Sequence, residues 1–159
     1  MIENGAESMT HENYRKVAFP LVQDDDGYPP DNWETLWAYE TVEGLYAIDN
    51  IPIFVKGISS GDIVAVEQEG AELRFKTLVR PSANSVFRLY LSDVSDVQAA
   101  RDSFRKLGCE SEQSHIPKLV ALEIPGSLPI GPVVALLEEG AGSGRWEYEE
   151  GVLRHPGGA

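Results

Sequence analysis

The chain has 159 residues, a net charge of −13 from 13 lysines and arginines against 26 aspartates and glutamates, and 42% hydrophobic residues. This length is enough for one domain or two small ones with a hydrophobic core. The excess of acidic residues argues against nucleic acid as a direct partner, because affinity for phosphate backbones comes largely from lysine and arginine.

The location of the protein is predicted from its cysteine content and its apolar stretches. Cys109 is the only cysteine, so the chain cannot form an internal disulfide. The N-terminus, MIENGAESMTHE, lacks the basic start and apolar run of an export signal. The longest apolar stretches, such as residues 133–137, are far shorter than the roughly 20 residues of a membrane span. We therefore expect a soluble cytoplasmic protein that does not associate with membranes.

The first half of the chain is predicted to be all-β. Residues 1–12 show no apolar period and are assigned to a disordered tail, whereas residues 13–83 alternate with the two-residue period of half-buried strands. Five strands are predicted at Lys16–Val22, Thr35–Thr41, Leu45–Ile51, Ile63–Glu69 and Leu73–Val79. Hairpin turns are predicted at Glu43-Gly44 and Glu69-Gly70. Short strands joined by short loops favour a small antiparallel β-barrel or curled sheet.

Two helices are predicted in the second half. Val97, Ala100 and Phe104 recur at helical steps, in a helix capped by Asp93 and ended by Gly108. A shorter helix is predicted from Pro132 to Glu139, with Gly140 after its end.

The strands around these helices predict a known order of elements. They are expected at Ser85–Leu91, Glu110–Ser114, Lys118–Ile124 and Arg145–Glu149. Residues 84–155 then read β-α-β-β-α-β, the order of a ferredoxin-like α+β unit, followed by a disordered tail at 156–159. In such a unit both helices cover one sheet face. The other face is left for the first half, a second copy of the chain or a ligand.

Metal and cofactor sites are not expected. The chain has three histidines and one cysteine, without the clustered spacing of a zinc site. Asp24-Asp25-Asp26-Gly27 resembles the start of a calcium loop, but the alternate ligands and the closing glutamate are missing. The acidic run is more simply a solvated loop before the Tyr28-Pro29-Pro30 turn.

Cys109 with His115 is the pair of residues in the sequence that could support nucleophilic catalysis, but the surroundings of Cys109 argue against this role. Cys109 follows the C-terminal end of the first predicted helix, and Glu110 and Glu112 are close in sequence, so we expect a raised thiol pKa. A structural cysteine explains the same residue. An enzyme would need a site assembled from dispersed residues, and no spacing in the sequence demands it. The candidates for such a site are Asp24, Asp26, Asp49, Asp62 and His115.

The candidate binding residues are aromatic and acidic. Trp37 and Tyr39 are predicted to share one strand face, close to Trp33, and such residues are either core or interface anchors. Glu147 and Glu149 bracket Tyr148 on the last strand and form either a solvated face or a docking surface for a basic partner. The binding candidates are Trp33, Trp37, Tyr39, Asp24, Asp26, Tyr28, Glu147, Tyr148 and Glu149.

Several longer strings resemble one protein family. They are FPLVQDDDGYPP at 19–30, ETLWA at 34–38, IDNIPIF at 48–54, GDIV at 61–64 and GRWEYEEG at 144–151. Together they are similar to the bacterial domain-of-unknown-function family 4265 (DUF4265). The resemblance covers nearly the whole chain and implies a small, soluble bacterial protein. It implies no activity and no catalytic residues.

These features lead to two main functional hypotheses. The first is a non-enzymatic binding protein, most concretely an immunity-type inhibitor that neutralises a basic toxin, acting as a monomer or homodimer. The second is a small-molecule-binding or regulatory domain with a pocket between the two halves. An enzyme is the third hypothesis.

Overall fold

The computed structural model describes residues 14–42 and 44–156, and it is a mixed α+β protein with two sheets and few helices. The predicted tail at 1–12, most of the tail at 156–159, and Glu43 of a predicted turn lie outside the described residues. The chain divides into two compact units. The first comprises residues up to 50 together with 60–81, and the second comprises residues 51–59 together with 82 onwards.

The first unit is a ring of five strands. They are β1 (Tyr14–Pro20), β2 (Trp33–Glu40), β3 (Leu45–Ile48), β4 (Ile63–Glu69) and β5 (Glu72–Arg80). Neighbouring strands pair antiparallel in chain order, and a parallel pairing of β1 with β5 closes the ring. Alternation along the strands puts Val17, Phe19 and Leu36 inside the ring, where Phe19 stacks on Phe75 with ring centroids 4.8 Å apart.

The second unit contains a four-stranded antiparallel sheet and two helices. Its elements are β6 (Ser85–Leu91), α1 (Val97–Lys106), β7 (Glu110–Gln113), β8 (Leu119–Ile124), α2 (Gly131–Gly142) and β9 (Trp146–Val152). The strand order is β7-β8-β6-β9. Alternate residues of β6 and β8 pack with the apolar sides of both helices in one core, which includes Leu89, Leu122, Phe104 and Leu137. A single 3₁₀ turn at Val94–Asp96 precedes α1.

The helix ends differ from the predicted ones. Asp93 caps the 3₁₀ turn rather than α1 itself, and its carboxylate accepts hydrogen bonds from the backbone N–H and hydroxyl of Ser95 at 2.9 Å. The prediction that Gly140 lies beyond the second helix was wrong, because α2 continues to Gly142. Gly140 lies inside the helix against the indole of Trp146, where a side chain would not fit.

Most strand ends shift by one to three residues from the predicted ones, and β3 shows the reason. It stops at Ile48 instead of Ile51, and the side chain of Asn50 takes over the pairing by accepting a hydrogen bond of 2.6 Å from the backbone N–H of Trp37. Ile51 belongs instead to the second unit.

Part of the second face of the four-stranded sheet is covered by the chain itself. Residues Ile51–Ser59, here called the strap, were predicted with the first half but pack with the second unit. Ile51 packs against Val86 of β6 and Ala121 of β8. Of the three occupants considered from the sequence, the predicted first half therefore supplies this segment to the open face.

Candidate functional site

The candidate site is the outer face of β1 and β2. Trp33, Trp37 and Tyr39 lie on one side of β2, where 44%, 45% and 39% of their surfaces are exposed, while Leu36 and Ala38 between them are buried. The strand period therefore places all three aromatic side chains outside the ring. The prediction that Trp37 and Tyr39 share a strand face is confirmed.

Strand pairing adds a fourth aromatic side chain to this face. Tyr14 of β1 lies directly opposite Tyr39 of β2, with ring centroids 5.6 Å apart. Tyr14, Trp33, Trp37 and Tyr39 are called the aromatic row below. Cross-strand pairs of this kind also stabilise the sheet that carries them.

Two cations lie over the indole rings of the aromatic row. Nζ of Lys16, which pairs with Trp37 across the strands, is 5.1 Å from the centroid of that ring. The guanidinium carbon of Arg74 is 5.0 Å from the centroid of Trp33, and its Nε donates to the Glu72 carboxylate at 2.8 Å. Both contacts lie within the range of cation–π attraction.

Asp49 and Asn50, which follow β3, form hydrogen bonds with the backbone of Trp37 in the aromatic row. The backbone N–H of Asp49 donates to the carbonyl of Trp37 at 2.8 Å, and the Asn50 side chain accepts from the Trp37 N–H. A hydrogen bond to the Asp49 carboxylate raises the pKa of Tyr14, and so does partial desolvation. The backbone of Trp37 is therefore bonded on both its polar groups.

A shallow groove of about 550 Å³ runs beside Trp37. Its walls include Lys16 and Thr35 on the strands, and Glu69 and Glu72 at the β4–β5 turn. Thr35 lies between Trp33 and Trp37 on the same strand face.

The loop between β1 and β2 holds three more of the predicted site residues. The Asp24 carboxylate accepts hydrogen bonds from the backbone N–H groups of Asp26 and Tyr28, both at 2.9 Å. Asp24 is thus a turn-forming residue, whereas Asp26 and Tyr28 remain exposed. The loop closes at the Trp33 end of the aromatic row, because Pro20 pairs with Trp33.

The other three predicted site residues lie in the second unit, on opposite faces of β9. Tyr148 packs into the helix-side core, with its ring centroid 6.1 Å from that of Phe87. The Glu149 carboxylate lies 3.9 Å from the Arg88 guanidinium and 4.0 Å from Nζ of Lys56. Glu147 is exposed opposite Tyr90.

Cys109, the candidate nucleophile, is buried, and burial raises the pKa of its thiol to about 11. The expected direction is thus found, but the cause is desolvation rather than the helix end or the neighbouring glutamates. His115 packs edge-on to Phe54, with centroids 6.3 Å apart.

Sequence reasoning missed Tyr14, Lys16 and Arg74 as members of the site. Each joins it from another strand, and no pattern within one strand indicates that neighbourhood.

Some site chemistries are not found among the described residues. No group of three or more His, Cys, Asp or Glu side chains in residues 14–42 and 44–156 is arranged to hold a metal ion. Over the same ranges, neither helix combines the length and the apolar character needed to cross a membrane.

Comparison with known proteins gives a family and a fold. The model of a family described as a domain of unknown function (DUF4265) matches residues 34–148. The chain is also similar to a hypothetical protein from Neisseria gonorrhoeae with a crystal structure, at a TM-score of 0.73 and 20% identity, over 87% of this chain and 94% of that one. At this identity the likeness concerns the fold alone. No curated protein matches the chain.

Proposed function

Since this chain belongs to the DUF4265 family, whose function is unknown, we propose a function from the chemistry of its own residues. We propose that it is a non-enzymatic binding protein, and that it acts in the cytoplasm as an immunity-type inhibitor that neutralises a basic toxin by protein–protein contact.

The observation that carries this proposal is the exposure of Trp33, Trp37 and Tyr39 on one strand face. Tryptophan and tyrosine dominate the energetics of protein interfaces, because they bury a large area and lose little conformational freedom. Here they lie on a strand that β1 pairs from Trp33 to Tyr39 and β3 pairs at Ala38–Glu40, so little further ordering of this strand is needed on binding.

The net charge of −13 supports a basic partner. Clustered acidic residues speed up the encounter with a basic protein and fix its orientation, even where they add little affinity. The groove beside Trp37 is shallow and open, which favours contact with a protein surface over enclosure of a small molecule.

For the fold we propose a finer assignment as well. The pairing of β1 with both β2 and β5 supports a small β-barrel. The element order and the strand order β7-β8-β6-β9 support a ferredoxin-like class for the second unit.

The test of the function is a pull-down from a lysate of the protein's own source. The tagged protein and an unrelated protein of equal net charge serve as baits, with washes at low and then high salt, and bound proteins are identified by mass. We expect one stoichiometric basic protein on the first bait alone, released by high salt. The captured protein should be toxic when it is expressed in a host, and co-expression of this chain should relieve that toxicity. A blank, or a partner that is not toxic, would contradict the proposal.

A further inference from the structure

Strand β9 lies at one edge of the four-stranded sheet, whose strand order is β7-β8-β6-β9. Its pairing with β6 shows which of its backbone groups face outward. Just before the strand, the N–H of Ser92 donates to the carbonyl of Arg145 at 2.9 Å. Because hydrogen-bonded pairs alternate along an antiparallel ladder, Glu147 and Glu149 also turn their N–H and C=O groups towards β6. The residues between them therefore point their backbone groups away from the sheet.

The outward backbone groups are those of Tyr148 and Glu150. Among residues 14–42 and 44–156, no hydrogen bond reaches the N–H or the carbonyl of either residue from this side. The free stretch ends at Gly151, whose carbonyl accepts from the N–H of Gly57 in the strap at 3.0 Å. An unpaired row of N–H and C=O groups at a sheet edge is what an added extended segment pairs with.

The cations near this edge already have acidic partners. Nη1 of Arg88 and Nζ of Lys56 lie 3.9 and 4.0 Å from the carboxylate of Glu149. Arg145, which precedes the strand, pairs with Glu139 of α2 at 3.2 Å. Glu149 is therefore partly neutralised, and these cations do not compensate the other glutamates of β9.

Glu147 and Glu150 are the uncompensated charges of the edge. Both are exposed, and neither makes an ion pair within the described ranges. They are three residues apart, so strand alternation places their side chains on opposite faces of the sheet. Tyr148 lies between them on the helix side and is half-buried. Opposite charges that face each other across a strand pair attract, so this edge favours a basic residue at each of two positions.

The same side chains disfavour a second copy of this chain as the occupant. One antiparallel register would place Tyr148 opposite its own equivalent, and Glu147 would then face Glu149 of the other copy. The other register that joins the outward groups would place Glu149 opposite Glu149. Like charges directly across a strand pair are destabilising, so the edge rejects its own kind.

We propose that the free edge of β9 binds an extended basic segment of another protein by strand addition. The segment carries a lysine or arginine opposite Glu147 and another opposite Glu150, with two residues between them, and the residue opposite Tyr148 is apolar. This inference concerns a second surface and stands apart from the proposed function, because it requires neither a toxin nor contact with the aromatic row.

The experiment uses a capped peptide of about six residues, the commonest strand length, with lysine-threonine-valine-lysine at its centre. The same peptide with glutamate in place of both lysines is its control. Hydrogen exchange of the Tyr148 and Glu150 amides, followed by NMR, reports strand addition, because contact through side chains alone would leave both amides open to solvent. Affinity is measured for the wild-type chain and for variants with native circular dichroism.

Two pairs of variants separate charge from backbone pairing. Glu147→Lys with Glu150→Lys reverses the charges of this edge, and Glu110→Lys with Glu112→Lys makes the same change on exposed residues of β7, the other edge strand. Glu150→Pro removes the outward N–H, which an edge strand tolerates, whereas Glu150→Ala removes the same carboxylate and keeps the N–H.

We expect the lysine peptide to protect both amides in the wild-type chain and the glutamate peptide to protect neither. The charge reversal on β9 should weaken binding by about fivefold or more, while the variant of β7 stays within about twofold of wild type. Glu150→Pro should bind about threefold to tenfold more weakly than Glu150→Ala, because it loses a backbone hydrogen bond as well as the charge.

Three results would overturn strand addition at β9 and leave the proposed function standing. The first is no protection of either amide by the lysine peptide at about 1 mM, a concentration that half-saturates even a millimolar complex. The second is an equal loss of affinity in the variants of β7 and β9. The third is equal affinity of Glu150→Pro and Glu150→Ala. A blank in the pull-down would overturn the proposed function alone.

Discussion

The contact between Gly140 of α2 and the indole of Trp146 leaves no room for a side chain. A Cβ atom placed on Gly140 would lie 2.1 Å from two ring carbons of Trp146. The indole is fixed there, because its Nε1 donates to the carbonyl of Leu137 at 3.0 Å and the residue is buried. A glycine inside a helix, which costs helix propensity, is explained by this close approach.

We predict that Gly140→Ala lowers the free energy of unfolding by about 2 kcal/mol or more, the cost of overpacking a core. Gly142→Ala is the matched control, because a Cβ there meets nothing within 4 Å and the helix gains propensity. Urea unfolding measures both. Equal stabilities for the two variants would show that Trp146 can move aside at little cost.

The Cys109 thiol connects stability to pH. Burial raises its folded pKa to about 11 from the ordinary 9.0. The unfolded chain therefore releases the proton above pH 9 while the folded chain keeps it, so the free energy of unfolding should fall as pH rises from 9 to 11. Below pH 9 the thiol is protonated in both the folded and the unfolded chain, so its full contribution to the free energy of unfolding is present.

We predict that in Cys109→Ala the free energy of unfolding falls less between pH 9 and 11 than in wild type. The difference is about 2–3 kcal/mol at most, the equivalent of the shift in the pKa of the thiol. Thermal or urea unfolding at a series of pH values compares the two proteins, and tyrosines and lysines titrate alike in both. Parallel curves for wild type and Cys109→Ala would contradict the prediction.

At the scale of elements, the strap at Ile51–Ser59 is held by Arg88 of β6. The Arg88 side chain is only 2% exposed, and it donates from Nε to the carbonyl of Ile53 and from Nη2 to the carbonyl of Val55. Gly151 of β9 lies so close that a Cβ there would be 2.9 Å from Nη1 of Arg88. A backbone bond of 3.0 Å from the N–H of Gly57 to the carbonyl of Gly151 completes the attachment.

We predict that Arg88→Ala destabilises the protein by about 3–5 kcal/mol, because it removes a buried cation and leaves its carbonyl and carboxylate partners without it. Hydrogen exchange of the Val55 and Gly57 amides should accelerate. Lys56→Ala is the control, since its 4.0 Å ion pair with Glu149 is exposed and such pairs contribute at most about 1 kcal/mol. If the two variants were equally stable, Arg88 would not be the residue that holds the strap.

The elements themselves were largely predictable from the sequence, because strand and helix periods are local. Ile63–Glu69 and Ser85–Leu91 have the predicted ends. The strap was not predictable, since residues 51–59 continue an apolar stretch after β3 and their partners, among them Val86, Arg88 and Gly151, lie more than 30 positions away in sequence. Arg88, a single arginine within the apolar strand β6, is the one sequence signal that polar groups are buried against this strand.

At the scale of the whole molecule, the charge of −13 opposes the compact state. Like charges repel over distances set by the Debye length, which falls from about 30 Å at 0.01 M salt to about 8 Å at 0.15 M. Added sodium chloride should therefore stabilise the folded chain.

We predict a rise in Tm on going from low to physiological salt, by about 2–4 °C for each 1 kcal/mol of repulsion that is screened. Differential scanning calorimetry measures it. The Asp25→Lys/Asp26→Lys variant carries four fewer net negative charges and should show a smaller rise. An equal or larger rise in that variant would indicate that salt acts through something other than net charge.

The sequence alone predicts an acidic α+β chain with strands in its first half and with Trp37 and Tyr39 on one strand face, because composition and short periods are properties of the chain itself. Only the tertiary structure places Tyr14, Lys16 and Arg74 beside those aromatic side chains and attaches the strap to Arg88. These neighbours come from other strands. Strand register and ring closure bring them together, and both depend on burial summed over the whole unit rather than on any local pattern.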